Sequence, residues 1–323
     1  YSSLEFKIND KIKSVIGLRV ENFIQKYTGE NSGGTIKYTD EKVIDKLDFF
    51  PSTNFIYSLK ENSNLRLSYS KTTARPSFKE VSIAEIYDPL SNMTFNGNIN
   101  LKPSYIDNID LRFEIFGDQS QLFAVSSFYK SFKDPIELTY YESSTENFQP
   151  KNLGNAKVYG LEFEIRKQLS NSLGVNLNAS IIESRQKFGE SELSLRTKGL
   201  REGETLGNYR RLQGQSPYLI NSSLDYKNEN GLNAGLFFNI QGKTLEVVGT
   251  GFAPDVYTQP FESLNLNLSK SLGENQNKII TVKIENILDS KKQSVYESFR
   301  ADDKVFSFRD QGITFSIGYS IKL

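Results

Sequence analysis

The chain has no cysteine, no histidine, no tryptophan and a single methionine. Without thiolate or imidazole, cysteine nucleophiles, Ser-His-Asp triads and the usual zinc ligand sets are excluded. Most hydrolase chemistry goes with them, and no enzymatic activity, metal or cofactor is expected. The lack of cysteine suits an oxidising compartment only weakly, because it avoids wrong disulfides without supplying a disulfide framework. There is also no excess of one charge. Lys plus Arg and Asp plus Glu are 39 each and the pI is near 6.7, so the basic face that nucleic acid requires is missing and nucleic acid is not an expected partner. Long hydrophobic runs are absent too. Nothing approaches the roughly 18 apolar residues of a membrane-spanning helix, and mean hydropathy is −0.47. That excludes a helical membrane protein but not a β-barrel, whose strands hide their membrane signal in alternation.

What the 323 residues do contain is period-two alternation. Leu65, Leu67 and Tyr69 alternate with Arg66, Ser68 and Ser70, and Leu111, Phe113 and Ile115 with Arg112 and Glu114. Tyr159, Leu161, Phe163 and Ile165 alternate with Gly160, Glu162, Glu164 and Arg166, and the chain closes on Ile313, Phe315, Ile317, Tyr319, Ile321 and Leu323. One face of each segment is apolar and the other polar or charged, the pattern of a half-buried strand. About thirteen such strands can be read: 1–7, 12–27, 47–60, 64–74, 105–117, 121–140, 157–169, 173–187, 217–228, 231–244, 261–271, 278–288 and 311–323. Several match the roughly 9 to 11 residues a tilted strand needs to cross a bilayer.

The connections alternate short and long. Short polar turns, such as Asn9-Asp10 and Glu61–Ser63, are rich in Asn, Ser, Gly and Asp. The long ones run over 28–46, 75–104, 141–156, 188–216, 245–260 and 289–310. In an up-and-down meander this puts every short turn at one end and every long loop at the other, the asymmetry of outer-membrane barrels. An all-β, antiparallel, up-and-down transmembrane β-barrel is therefore the expected fold. An odd strand count leaves the first strand without its partner, since single-chain barrels close on even numbers. The chain also opens at Tyr1 inside a strand pattern. Residues 1–323 are accordingly expected to be the C-terminal portion of a larger barrel domain.

Four segments resemble the C-terminal barrel of TonB-dependent outer-membrane receptors: Asn64–Glu80, Gly97–Asn108, Asn152–Glu164 and Gly214–Asn221. Their order and spacing also resemble the family's. The terminal segment is similar to the strand read by the barrel-assembly machinery, with Ser316 and Gly318 followed by Ile321 and Leu323, although many such barrels end on Phe or Trp. The resemblance implies a barrel of about 22 strands with a plugged lumen, of which this chain supplies somewhat more than half the wall. It also implies import of a scarce ligand, a metal chelate or oligosaccharide, with energy relayed by TonB. No segment matches the plug or the TonB-contacting region. The implied partners are outer-membrane lipid, a plug domain of the same parent chain, the TonB complex, the assembly machinery and, as in glycan importers, a surface lipoprotein.

Within this frame Arg112, Glu114, Glu162, Glu164, Arg166, Lys283 and Glu285 line the lumen and face the plug. In a soluble sandwich the same rows would simply be solvated. Tyr57, Tyr69, Tyr218, Tyr226, Phe261 and Tyr319 are candidates for an interfacial aromatic girdle. Tyr209, Arg210 and Arg211, with Lys198 and Arg201 upstream, read as a basic patch on a long outward loop that could bind an anionic ligand through planar guanidinium donors. Pro76 reads as a strand terminator, and Gly97, Gly154, Gly160 and Gly214 as backbone bends. Two other readings stay open. A complete passive outer-membrane pore would need neither plug nor TonB, and a soluble all-β ligand-binding module would pack its apolar faces on each other.

Overall fold

The computed structural model describes residues 1–89, 92–141, 144–250, 252–273 and 277–321. Its dominant feature is a 14-stranded antiparallel sheet, in which thirteen strands follow one another in chain order and the short Tyr209–Arg210 strand attaches at the side. The thirteen are Ser2–Asn9, Ile12–Glu30, Lys37–Lys60, Ser63–Ala74, Ser104–Phe116, Leu122–Lys133, Asn155–Gln168, Leu173–Lys187, Tyr218–Lys227, Leu232–Gln241, Phe261–Leu272, Lys278–Glu285 and Thr314–Ile321. Among the described residues the first and last of these pair on one side only, so the sheet is open.

Register explains why the alternation works. Leu161 pairs with Ser127 and Ile181, Phe163 with Val125 and Ala179, and Ile165 with Phe123 and Leu177, so apolar side chains form rows on one face. Many remain open: Leu4, Leu18, Leu67, Leu111, Leu161, Ile181, Phe315 and Ile317 are all exposed. A continuous apolar face this large is a surface built to meet lipid. The short turns are closed by Asx chemistry. Asn9 Oδ1 accepts from the N–H of Lys11 and Ile12, both at 2.9 Å, and Asn228 Oδ1 accepts from Leu232 N–H.

Strand boundaries differ from the sequence reading where apolar alternation stops. The segment 28–46, read as a loop, mostly continues the Ile12–Glu30 and Lys37–Lys60 hairpin, closed by Asn31. Beyond the lipid both faces are wet, so the backbone ladder holds without an apolar side. The strand expected over 121–140 leaves the sheet at Lys133, where Asp134 takes a positive φ and Pro135 offers no N–H to the ladder. Strand Ser63–Ala74 does end just before Arg75-Pro76. Phe261 pairs with Gln241 and falls on the polar face, so it is not part of the outward girdle, whereas its neighbour Glu262 pairs with outward Ile240.

Much of the long-loop chain folds into a cap. Glu85–Asp88, Met93–Asn96, Ser144–Asn152 and Ile136–Tyr141 form one four-stranded sheet, and Thr244–Val247, Asp255–Thr258, Lys292–Glu297 and Lys304–Arg309 form another. The two are joined by a parallel bridge between Thr139 and Val248. They share a core of Met93, Tyr140, Phe148, Val247, Ala253 and Val256, with Leu138, Tyr296 and Phe306 packed against it. Tyr140, Phe148, Phe306 and Tyr296 run through it as a chain of tilted and edge-on rings with centroids 5.3–6.1 Å apart.

Two glycines expected as bends are instead close approaches. Gly160 lies mid-strand, where a Cβ would sit 2.4 Å from the Ile181 carbonyl oxygen and against the Phe128 ring. At Gly97 a Cβ would come within 1.9 Å of the Ser82 carbonyl oxygen, because the chain passes directly over the end of the one-turn helix Phe78–Val81. Gly97→Ala is therefore expected to destabilise this segment by about 1–3 kcal/mol. Hydrogen exchange across 75–104 in the assembled protein would show the loss, and unchanged protection would contradict the packing.

Candidate functional site

The polar face of the sheet carries a ladder of ion pairs built from alternate residues of three strands and bridging a fourth. Arg66 and Arg112 stand directly opposite each other, and Glu114, one step along, accepts from both: from Arg66 Nε in a short bond and from Arg112 Nε at 3.0 Å. Arg112 then reaches across the intervening Leu122–Lys133 strand to Glu164 at 2.8 Å. It can do so because Ala124 and Ser126 are the inward residues there, and Ser126 accepts from its guanidinium at 3.3 Å. Arg166 completes the group, 3.6 Å from Glu164. Of the expected inward charges, Arg112, Glu114, Glu164 and Arg166 are thus brought together with Arg66. Glu162 shares their face but joins none of these pairs. Lys283 and Glu285 lie together on the Lys278–Glu285 strand, several strands away.

The sheet's far sector is different in chemistry. Asn178, Asn221 and Asn239 lie in register across three strands, and Asn176 donates to Ser223 and Asp225, each at 3.0 Å. The polar face thus divides into a charged sector and an amide sector. Ser316 pairs with Lys283 and Gly318 with Thr281 on this polar face, while Ile321 pairs with Lys278 on the apolar one. Leu323 lies outside the described residues.

The basic patch expected at Arg201, Tyr209, Arg210 and Arg211 is not a patch. The two-residue strand Tyr209–Arg210 pairs with Lys187 and Gln186, and alternation sends its side chains to opposite faces. Tyr209 points outward and is exposed. Arg210 points inward and is buried in the cap, making a fork-to-fork pair with Glu137 at 2.7 and 2.8 Å and a further bond to Glu192 at 2.7 Å. Burial alone would lower the pKa of this guanidinium, but the two carboxylates more than offset that and hold it above the ordinary arginine range. Arg210 is therefore a clamp rather than an exposed ligand contact. Arg211 leans on the Lys243 carbonyl at 3.4 Å. Arg201 lines a recess of about 120 Å³ together with Arg196, Glu204, Phe252, Glu297 and Phe299, and it donates to the Phe299 carbonyl at 2.8 Å.

Residues that sequence reasoning missed hold the cap together. Arg196 bridges Glu192 at 3.0 Å and Asp255 at 2.7 and 3.1 Å. The Gln213 amide acts as a surrogate strand, accepting from Leu138 N–H at 2.6 Å and donating to the Leu138 carbonyl at 3.0 Å. Glu246 accepts from Thr258 at 2.7 Å and from Ser294 in a short bond. Glu192–Arg196 is a local i,i+4 pair and Thr258 lies twelve residues from Glu246, but Arg196–Asp255, Gln213–Leu138 and Ser294–Glu246 join segments far apart in the chain, and no local pattern marks those. Among the described residues no acidic cluster is arranged to hold a metal ion.

An open antiparallel meander with a lipid-facing apolar side, an ion-paired polar side and a folded cap at one end defines a class: the wall of an outer-membrane β-barrel. Residues 1–320 match the family model described as outer membrane protein beta-barrel family, and the chain belongs to that family. It is an outer-membrane chain of Gram-negative type. Its fold is that of the barrel region of TonB-dependent receptors. The ferric yersiniabactin uptake receptor FyuA of Yersinia pestis is similar with a TM-score of 0.66 at 17% identity, over 99% of this chain and 44% of that one. The copper transporter OprC gives 0.64 at 15% identity, over 99% and 46%. The siderophore receptor PirA of Pseudomonas aeruginosa gives 0.61 at 14%, over 99% and 47%. The chain thus spans less than half the length of the solved structures it matches. No curated protein matches the sequence.

Proposed function

We propose that this chain is the C-terminal part of the barrel wall and the outer cap of an active-transport receptor, which binds a scarce ligand and imports it with TonB-relayed energy. The observation that carries this reading is the cap. The long connections of a simple pore need not fold, whereas here they form two sheets over one core, joined to structures of the siderophore and copper uptake type by fold. In this reading Arg66, Arg112, Glu114, Glu164 and Arg166, with Glu162 on the same sector and Lys283 and Glu285 several strands away on the same polar face, hold a plug domain of the parent chain by ion pairs and hydrogen bonds. Such contacts are strong enough to seat the plug and can be exchanged for water when it is pulled. Arg201 and its recess belong to the ligand-facing surface, with a metal chelate or an oligosaccharide as ligand. The end of the sequence, with Ser316, Gly318, Ile321 and Leu323, presents the assembly signal, and a surface lipoprotein has the cap as its docking face.

The test is uptake by cells carrying the full-length parent protein, using radiolabelled ferric chelates, copper and oligosaccharides as a panel. Active import predicts saturable uptake of one class that a protonophore abolishes. Uptake that is linear in concentration and indifferent to the protonophore would overturn the reading in favour of a passive pore.

A further inference from the structure

A phenylalanine stands on the wet side of the wall, in the amide sector. Phe237 belongs to the polar face of the Leu232–Gln241 strand, yet its side chain is exposed rather than packed away. Its register partners are Ser223 on one side and Asn265 on the other. The row toward the cap reads Asn178, Asn221, Asn239 and Ser263, and the row toward the short turns reads Gly174, Asp225, Gly235 and Asn267. Gly235 is what seats the ring, because a Cβ there would lie 2.7 Å from it. The ring therefore leans down on the strand at Gly235, with side-chain amides above and beside it. Here the wall forms a recess of about 250 Å³ lined by five asparagines, two serines, Phe237 and Phe238, with no charged side chain.

Part of the hydrogen-bonding capacity around the ring is unspent. Asn239 donates to Asn221, and Asn176 donates to Ser223 and Asp225. The side chains of Asn178, Ser263 and Asn267 form no hydrogen bond among the described residues. Charge is held at the borders. Glu162, Glu164 and Arg166 face Ser180, Asn178 and Asn176 from the next strand, Lys283 faces Asn267 with Glu285 on the same strand, and Asp225 and Lys227 lie toward the short turns. Those four carboxylates and three cations present no positive field to an anion. An aromatic face ringed by groups that both donate and accept fits one chemistry. A sugar ring offers C–H groups on its flat side, attracted to the negative face of the π system, and hydroxyls at its edge that match asparagine amides.

We propose that Phe237, with Asn178, Asn239, Asn265 and Asn267, is a subsite on the lumen wall for a neutral sugar ring of an oligosaccharide ligand. Phe237 is the stacking platform, and the asparagines take the hydroxyls. The subsite rests on the reading above that the polar face lines the passage of a ligand, and it selects an oligosaccharide over an anionic metal chelate. A chelate carrying negative charge would meet no free cation in the recess and would stand beside Asp225 and Glu164.

The test presents the full-length parent protein, in mild detergent, to an array of neutral and uronate-bearing oligosaccharides and then titrates the best neutral binder. Phe237→Ala is expected to weaken that binding about tenfold, the worth of one good aromatic contact. Phe237→Leu keeps bulk over Gly235 without a π face and is expected to lose as much, whereas Phe237→Trp binds at least as well as the parent. Phe123→Ala, which removes an exposed ring from the lipid-facing side, is expected to change nothing. Heat-modifiable migration of each variant on a detergent gel confirms that it is assembled. Failure of every neutral sugar to bind, preference for the uronate-bearing ones, or parent-like binding by Phe237→Ala and Phe237→Leu would overturn the subsite. Subsite and active import fail separately. Protonophore-sensitive uptake of a ferric chelate that Phe237→Ala leaves unchanged keeps active import and removes the subsite. Sugar binding that depends on Phe237, with uptake indifferent to the protonophore, keeps the subsite and removes active import.

Discussion

Replacing Arg210 with alanine destabilises the folded cap by about 3–5 kcal/mol, the cost of leaving buried carboxylates without their counter-charge. Glu137 and Glu192 have side chains only 1% and 7% exposed and face the guanidinium from two different loops. Glu192 keeps Arg196, but among the described residues Glu137 keeps only the Gln213 N–H at 2.9 Å. The damage is local. The sheet below is held by its own ladder, so Arg210→Ala is expected to retain heat-modifiable migration while proteolysis within 188–216 accelerates sharply. A second replacement, Glu137→Leu in the Arg210→Met background, recovers much of the loss, because an apolar pair of similar volume removes the stranded charge. Parent-like protease resistance in Arg210→Ala would show that the clamp contributes nothing.

The second large effect concerns the other face. Leu161→Arg puts a guanidinium into the lipid-facing row between Ser127 and Ile181 and costs about 2–4 kcal/mol near the bilayer midplane. The expected result is reduced assembly, read as loss of the folded, faster-migrating band and of recovery in the outer membrane. Ser180→Arg is the matched control. It lies one residue from Ile181 on the polar face, paired with Glu162, where a new cation meets a carboxylate. It is expected to assemble normally. The opposite outcome in the pair would mean that the faces have been assigned the wrong way round.

These two sites also mark what a sequence can and cannot reveal. Leu161 was legible because its strand has one wet face and one oily face, and such a strand must alternate. All thirteen consecutive strands of the sheet carry that signature over at least part of their length. It fades over 37–46, where both faces are hydrated and the backbone ladder is satisfied whatever the side chains. In the cap the strands are too short for alternation to stand out, as few as the four residues of Glu85–Asp88 and Thr244–Val247. In the latter the polar Thr244 is buried along with Leu245 and Val247, so polarity does not separate an inner from an outer face. Arg210 reads as surface because it stands beside Arg211 in a long polar connection. Its partner Glu137 is 73 residues away, and only the fold brings them together.

The composition of the cap core sets the order in which this chain can be completed. The sheet grows by adding neighbours, each hairpin bringing its own partner, so it can form as the chain is delivered. The cap core draws Met93, Tyr140 and Phe148 from one half of the chain and Val247, Val256, Tyr296 and Phe306 from the other. Contacts of such long sequence separation form slowly and only after the intervening segments are placed. The cap is therefore a seal on a finished product: until the strands flanking Lys292–Arg309 have been laid down, nothing can close over the top, and a stalled intermediate stays open to proteases.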